Sequence, residues 1–210
     1  MWGNKGKSGS VVGLFAILLL AQGAWAAEKA TPDNGKCTKC HEDEVASFGD
    51  SHHFAAWSAK PGENRSCESC HGSAAEHTKS EKIEHIISFS KKSENSAEEK
   101  NKQCLTCHTS SRKLDFWKQS THFKNDVACT NCHTLHKGRA EVKPGPEKCF
   151  ACHQDIQADL RKISHHPIIE GKVSCKDCHN PHGSLGHGNL AAENVNQLCY
   201  KCHADKRGPF

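Results

Sequence analysis

The sequence predicts a chain of short α-helices and irregular loops with almost no β-structure, wrapped around prosthetic groups rather than around a core of its own. Three observations predict it. One pentapeptide, Cys-x-x-Cys-His, recurs seven times and takes up all fourteen cysteines. Only 35% of the residues are hydrophobic, some of them in an N-terminal leader. No segment reads as strand-rich, and Gly, Pro and Asn punctuate the intervals between motifs, as in KPGPEK and NPHGSLGHGN.

The first element is the leader. Lys5 and Lys7 form a basic start, Val11 to Leu20 an apolar run, and Ala24-Trp25-Ala26 a small-x-small cleavage site. The expectation is a signal peptide over residues 1–26 and a mature domain over 27–210. The apolar run is short of the ~20 residues that a membrane-spanning helix needs. Export would place the mature chain outside the cytoplasm, in the periplasm.

The motifs follow in order: Cys37, Cys40 and His41; Cys67, Cys70 and His71; Cys104, Cys107 and His108; Cys129, Cys132 and His133; Cys149, Cys152 and His153; Cys175, Cys178 and His179; Cys199, Cys202 and His203. This is the attachment signature of c-type haem. Two thiols add across the two vinyl groups of one porphyrin, and the adjoining histidine becomes an axial ligand of the iron. With histidine at 17 of 210 positions, seven chance placements after Cys-x-x-Cys have a probability on the order of 10⁻⁸. Structural zinc pairs Cys-x-x-Cys knuckles without needing a histidine after each one. A disulfide framework is poorly served by one short spacing repeated throughout. The expected cofactors are therefore seven covalently attached haem c groups.

The only methionine is Met1, inside the leader, so the mature chain offers no His/Met ligation. The second axial ligand is expected to be histidine. Ten histidines lie outside the motifs. The settings Ser51-His52-His53-Phe54 and Ser120-Thr121-His122-Phe123 select His53 and His122. In Ser164-His165-His166-Pro167 either histidine fits. His77, His136 and His182 follow the even-numbered motifs closely. His52, His85, His166 and His187 are left over. His133 and His136 stand three residues apart, as do His179 and His182. Such neighbours share a helix face, whereas the two ligands of one iron approach from opposite porphyrin faces. Each close histidine is therefore expected to serve a neighbouring haem.

Odd motifs are followed by a candidate distal histidine after 12 to 14 residues, even ones after 3 to 6. The repeat is a two-haem module, approximately 27–103, 104–148 and 149–198, with an incomplete fourth at 199–210. Helices are expected after odd motifs, in EDEVASFGD and QDIQADLRKI. Lys79 to Gln103 reads as a solvated connection in which Ile83, Ile86, Ile87 and Phe89 can pack on a haem. The seventh haem has no local partner, so its sixth position falls to a spare such as His187 or His85, to a partner protein, or to nothing.

A mature chain of 184 residues gives about 26 residues per haem, too few for an ordinary core, so the haem-free chain is expected to be largely disordered. The formal charge of +4 also changes sign. Removing Lys5 and Lys7 leaves +2, and fourteen propionates with seven ferric centres bring the holoprotein to about −5 oxidised and about −12 reduced. No basic stripe with interleaved aromatics points to nucleic acid.

CESCHGSAAEH, IISF, CLTCH with FWKQSTH, CTNCHTLH, CKDCHNPHGS and the terminal CYKCHADKRGPF together resemble the MtrA/DmsE family of periplasmic decahaem cytochromes. The family form of the distal segment is His-x-Pro, so the resemblance favours His165 over His166, and in that family RGPF continues into a His-x-Pro-Val segment and further haem motifs. Here it closes the sequence, which identifies the chain as a shortened seven-haem member or a truncated product. The resemblance implies an extended row of bis-His haems that relays electrons in anaerobic respiration or extracellular electron transfer. It implies inner-membrane or periplasmic cytochromes as donors, and as acceptor an outer-membrane β-barrel porin with its multihaem cytochrome, or a terminal reductase. The chain is expected to be an electron carrier without catalytic residues. Two alternatives stand beside this: a nitrite reductase-like enzyme with an open iron at the seventh haem, and a subunit of a cytochrome filament.

Overall fold

The computed structural model describes residues 35–59, 66–136 and 145–208. The expected leader lies outside them. Each haem motif is one tight helical turn. The amide of the motif histidine donates to the carbonyl of the first cysteine at 2.9 Å in His41, 3.0 Å in His71, 2.9 Å in His133, His153 and His203, and 2.8 Å in His179. The third motif is the last turn of the helix Ala97–His108. Residues i, i+3 and i+4 share a face of such a turn, so the Cys-x-x-Cys-His spacing gathers both thiols and the imidazole on one side.

The helices are short and locally specified. Helix α1 (Glu42–Gly49) starts directly after the first motif, with Glu42, Asp43 and Glu44 at its positive end. Ser51 caps α2 (His52–Ser58), its Oγ accepting from the Phe54 amide at 3.1 Å. Next come α3 (Glu68–His71) and α4 (His77–Ser80), at and just after the second motif. Ser96 and Glu99 form a reciprocal capping box on α5 (Ala97–His108), the longest of these helices. Ser120 caps α6 (Thr121–Lys124) through the Phe123 amide at 3.0 Å. The series continues with α7 (Cys129–Cys132), α8 (Glu147–Phe150), α9 (Gln154–Asp159), α10 (Cys175–Cys178) and α11 (Val195–Cys199). The helices expected after the first and fifth motifs are α1 and α9. The β-structure among the described residues is one isolated bridge, His179 to Leu190.

The apolar interior is slight. Among the described residues the buried hydrophobic side chains are Phe48, Ala74, Trp117, Ala128 and Leu160, and nearly as many polar ones are buried: Ser51, Asn101, Ser120 and Asn189. These polar residues fasten segments to one another. Asn101, 3% exposed, accepts from the Cys129 amide at 2.7 Å and donates to the Val127 carbonyl at 3.2 Å. It therefore ties the fourth motif to the helix that carries the third. Asn189 accepts from the Thr121 amide at 3.4 Å across 68 residues. Gly183 lies in the same joint with φ +101°, where a Cβ would strike the Phe116 carbonyl.

Candidate haem sites

Even motifs are built differently from odd ones. In the second, fourth and sixth, the residue just before the second cysteine accepts from the amide of the residue before the first. Ser69 takes the Ser66 amide at 3.1 Å, Asn131 the Ala128 amide at 2.8 Å, and Asp177 the Ser174 amide at 2.7 Å. Sequence reading passed over these Ser, Asn and Asp residues, although their identities alone mark the three even motifs.

None of the fourteen cysteines forms a disulfide, and consecutive motifs are neighbours. As free thiols, Cys104 and Cys129 share a hydrogen bond that pushes Cys104 up and holds Cys129 down. Burial and the nearby Cys175 push Cys149 up to about 11. Cys70 is raised by burial and then by Cys104 and Cys107, Cys132 by burial and Cys152, and Cys178 by burial and then by Asp177, Cys202 and Cys199. His71 lies near both His41 and His77. The motifs thus run past one another in chain order.

The histidines fall into pairs. Ring centroids are 6.2 Å apart for His41 and His77, 6.0 Å for His71 and His136, and 6.0 Å for His53 and His108. They are 6.2 Å apart for His122 and His153, 5.8 Å for His133 and His182, and 6.5 Å for His166 and His203. Two imidazole nitrogens each about 2.0 Å from one metal put the ring centroids roughly 6 Å apart. All six His–His pairs join a motif histidine to one outside the motifs, and no histidine is used twice. Among the described residues no three of His, Cys, Asp and Glu converge as a bare metal ion such as structural zinc would need.

Backbone carbonyls set the tautomers. Nδ1 of His71 donates to Ile87 O at 2.8 Å, His77 to Lys82 O at 2.9 Å, His122 to Pro181 O at 2.9 Å and His179 to Gly188 O at 3.0 Å. A carbonyl only accepts, so Nδ1 carries the proton and Nε2 keeps its lone pair for a metal. Ile87 and Phe89, from the connection expected to pack near a haem, both meet His71, Phe89 at 5.3 Å between rings. Burial holds His53, His71, His133, His136 and His182 below the ordinary histidine value, which keeps them in the neutral, ligating form.

Two expectations meet a different arrangement. The ring facing His203 belongs to His166, not His165. His165 donates from Nδ1 to Lys162 O at 2.6 Å and from Nε2 to Glu170 at 3.0 Å. The Glu170 bond raises its pKa, followed by the Lys162 carbonyl. With both nitrogens donating, His165 has no lone pair to give. The seventh motif, expected to lack a local partner and to draw on a spare such as His187 or His85, on a partner protein or on nothing, faces the spare His166. The motif histidine without a facing histidine is His179, in the sixth. His187 lies in the turn His187–Asn189 beside the Gly188 carbonyl that holds His179, and it joins none of the six pairs.

These residues fit haem c. Each motif turn gathers two thiols and one imidazole, and six motif imidazoles face a second at an iron-spanning separation. The indole Nε1 of Trp117 is buried without an acceptor, a donor that a haem propionate would satisfy. The comparisons agree with this chemistry. Residues 67–148 match the family described as "Cytochrome c-type protein NrfB-like", residues 165–208 the "Doubled CXXCH motif", and residues 36–66 "Cytochrome c554 and c-prime". Multiheme cytochrome MtrA of Shewanella baltica (strain OS185) is 38% identical over 179 residues, covering 82% of this chain and 53% of that protein. The chain spans about half the length of that relative.

Proposed function

Because the chain belongs to the multihaem c-type cytochromes, we propose that it carries seven haems and relays electrons along them in motif order. The observation that carries this reading is the set of six histidine pairs. When bound, each haem supplies an iron that changes between ferric and ferrous states. The cysteines would tether each porphyrin at two points. The iron of a bound haem would be held between His41 and His77, His71 and His136, His108 and His53, His133 and His182, His153 and His122, and His203 and His166.

A closed pair of neutral imidazoles leaves no room for a substrate and needs no ligand exchange between oxidation states, which suits a carrier rather than an enzyme. The carbonyl bonds at His71, His77 and His122 orient the rings and raise their basicity as ligands. With no methionine available, the potentials fall below those of His/Met haems. The row is built of the two-haem modules at about 27–103, 104–148 and 149–198. Within the second and third modules, first cysteines lie in contact, Cys104 with Cys129 and Cys149 with Cys175.

The leader pattern and the similarity to Multiheme cytochrome MtrA support a periplasmic location. They also support exchange with other redox proteins: cytochromes as donors, and an outer-membrane porin–cytochrome conduit or a terminal reductase as acceptor. A coulometric titration of the purified holoprotein tests the core of this reading. Seven electrons per chain are expected, all below the His/Met range, with His136→Ala converting one low-spin haem to high-spin. Uptake of fewer than seven electrons, or an unchanged spin state in His136→Ala, overturns it.

A further inference from the structure

We infer that the haem of the sixth motif, held by Cys175, Cys178 and His179, takes its second axial ligand from outside residues 1–210, and that this ligand is an imidazole. The inference rests on reading the six ring pairs as axial pairs. All 17 histidines lie among the described residues. The pairs use twelve of them, which leaves His179 itself with His52, His85, His165 and His187.

None of the four is placed to face His179. Both nitrogens of His165 are committed, to Lys162 and Glu170. His85 is in the first module, bonded through Nδ1 to Ser80 Oγ at 2.7 Å with Nε2 3.8 Å from Glu84. His52 precedes His53 on α2, beside the third motif. His187 is nearest in sequence but on the wrong side. The Gly188 carbonyl next to it receives the Nδ1 proton of His179, so this turn lies against the edge of the ring that points away from the iron. The bonds from the Asn180 amide to Asn189 O (2.8 Å) and the Ala191 amide to Cys178 O (2.8 Å) fasten it there. A second axial ligand must come from the opposite porphyrin face.

The pattern of the other pairs gives the ligand's chemistry. A histidine following an odd motif faces the motif two places later: His53 the third, His122 the fifth, His166 the seventh. A histidine three residues after the fourth or sixth motif faces the motif two places earlier: His136 the second, His182 the fourth. By the same rule the sixth motif calls for a histidine arriving from a following even motif. His179 is exposed, open to such an approach.

The test uses holoprotein of residues 27–210 and free imidazole as the probe. One haem in seven is expected to be high-spin in low-temperature electron paramagnetic resonance, to bind one carbon monoxide per chain when reduced, and to become low-spin on adding imidazole. Cys175→Ala with Cys178→Ala removes that signal and leaves six low-spin haems, and His187→Ala changes nothing. A high-spin fraction that falls as protein concentration rises assigns the imidazole to a second copy of the chain. A constant fraction assigns it to another segment or another protein. Seven low-spin haems in the dilute protein, or a new high-spin haem in His187→Ala, overturns the inference. His182→Ala separates this failure from failure of the pairing itself. If His182→Ala creates no new high-spin haem, the axial pairs are wrong. If it does and the parent has no open haem, only the present inference falls.

Discussion

A histidine becomes a ligand when one ring nitrogen is held as a donor, or the ring is kept neutral by burial, and the other nitrogen is left bare. His165 and His166 show how narrowly this is decided. They are adjacent, yet His165 is fixed by Lys162 O and Glu170 while His166 faces His203. His166→Ala is therefore expected to add one high-spin haem to the spectrum of the holoprotein. His165→Ala leaves the spin states unchanged and loses only a solvent-screened ion pair with Glu170. The reverse pattern would restore His165 as the ligand. That choice was legible in the chain. His53 and His122, which face motif histidines, are each the second residue after a serine, and carrying the same register to Ser164 selects His166. The signal was weaker there because Ser51 and Ser120 cap helices, whereas no helix follows Ser164 and Pro167 drew attention to His165 instead.

At the scale of elements, segments are joined by buried polar groups rather than by apolar faces. Asn101 holds the fourth motif to the third, and its replacement by alanine strands the Cys129 amide and the Val127 carbonyl. The expected loss is about 1–3 kcal/mol per unsatisfied group, read as a lower thermal midpoint of the Soret band. Gly183 sits where CKDCHNPHGS docks on FWKQSTH. Gly183→Ala meets both a left-handed backbone and the Phe116 carbonyl, so it should destabilise by more than about 1 kcal/mol. Gly188→Ala, with φ +63° but open space around it, carries only the backbone strain and should cost less. Equal midpoints for the two variants would remove the close approach as a cause. The helices after the first and fifth motifs could be read from the chain. These joints could not, because a lone Asn or Gly in a loop carries no periodic signal and its partner lies tens of residues away.

At the scale of the molecule, the slightness of the apolar core among the described residues decides what folding depends on. The buried apolar side chains among the described residues, Phe48, Ala74, Trp117, Ala128 and Leu160, are scattered through the chain. Phe48 and Trp117 lie directly against histidines of the pairs, His136 at 5.6 Å and His182 at 6.2 Å. Nearly all the described helices are too short to persist alone. What brings distant segments together is a histidine from one segment facing a motif in another, and that contact has little energy until a metal joins the two rings. Haem attachment should therefore coincide with folding rather than follow it. A chain with all fourteen cysteines replaced by serine is expected to show little helical circular dichroism and to be cut by protease throughout residues 35–208, while the holoprotein resists. Removing one haem by a Cys→Ser pair at the fourth motif should loosen both neighbours: the second motif, which receives His136 from beside it, and the fifth, which packs against Cys132. Loss at the seventh motif should touch chiefly the segment around His166. A protease-resistant, helical haem-free chain would show that the polypeptide holds this arrangement without the groups it surrounds.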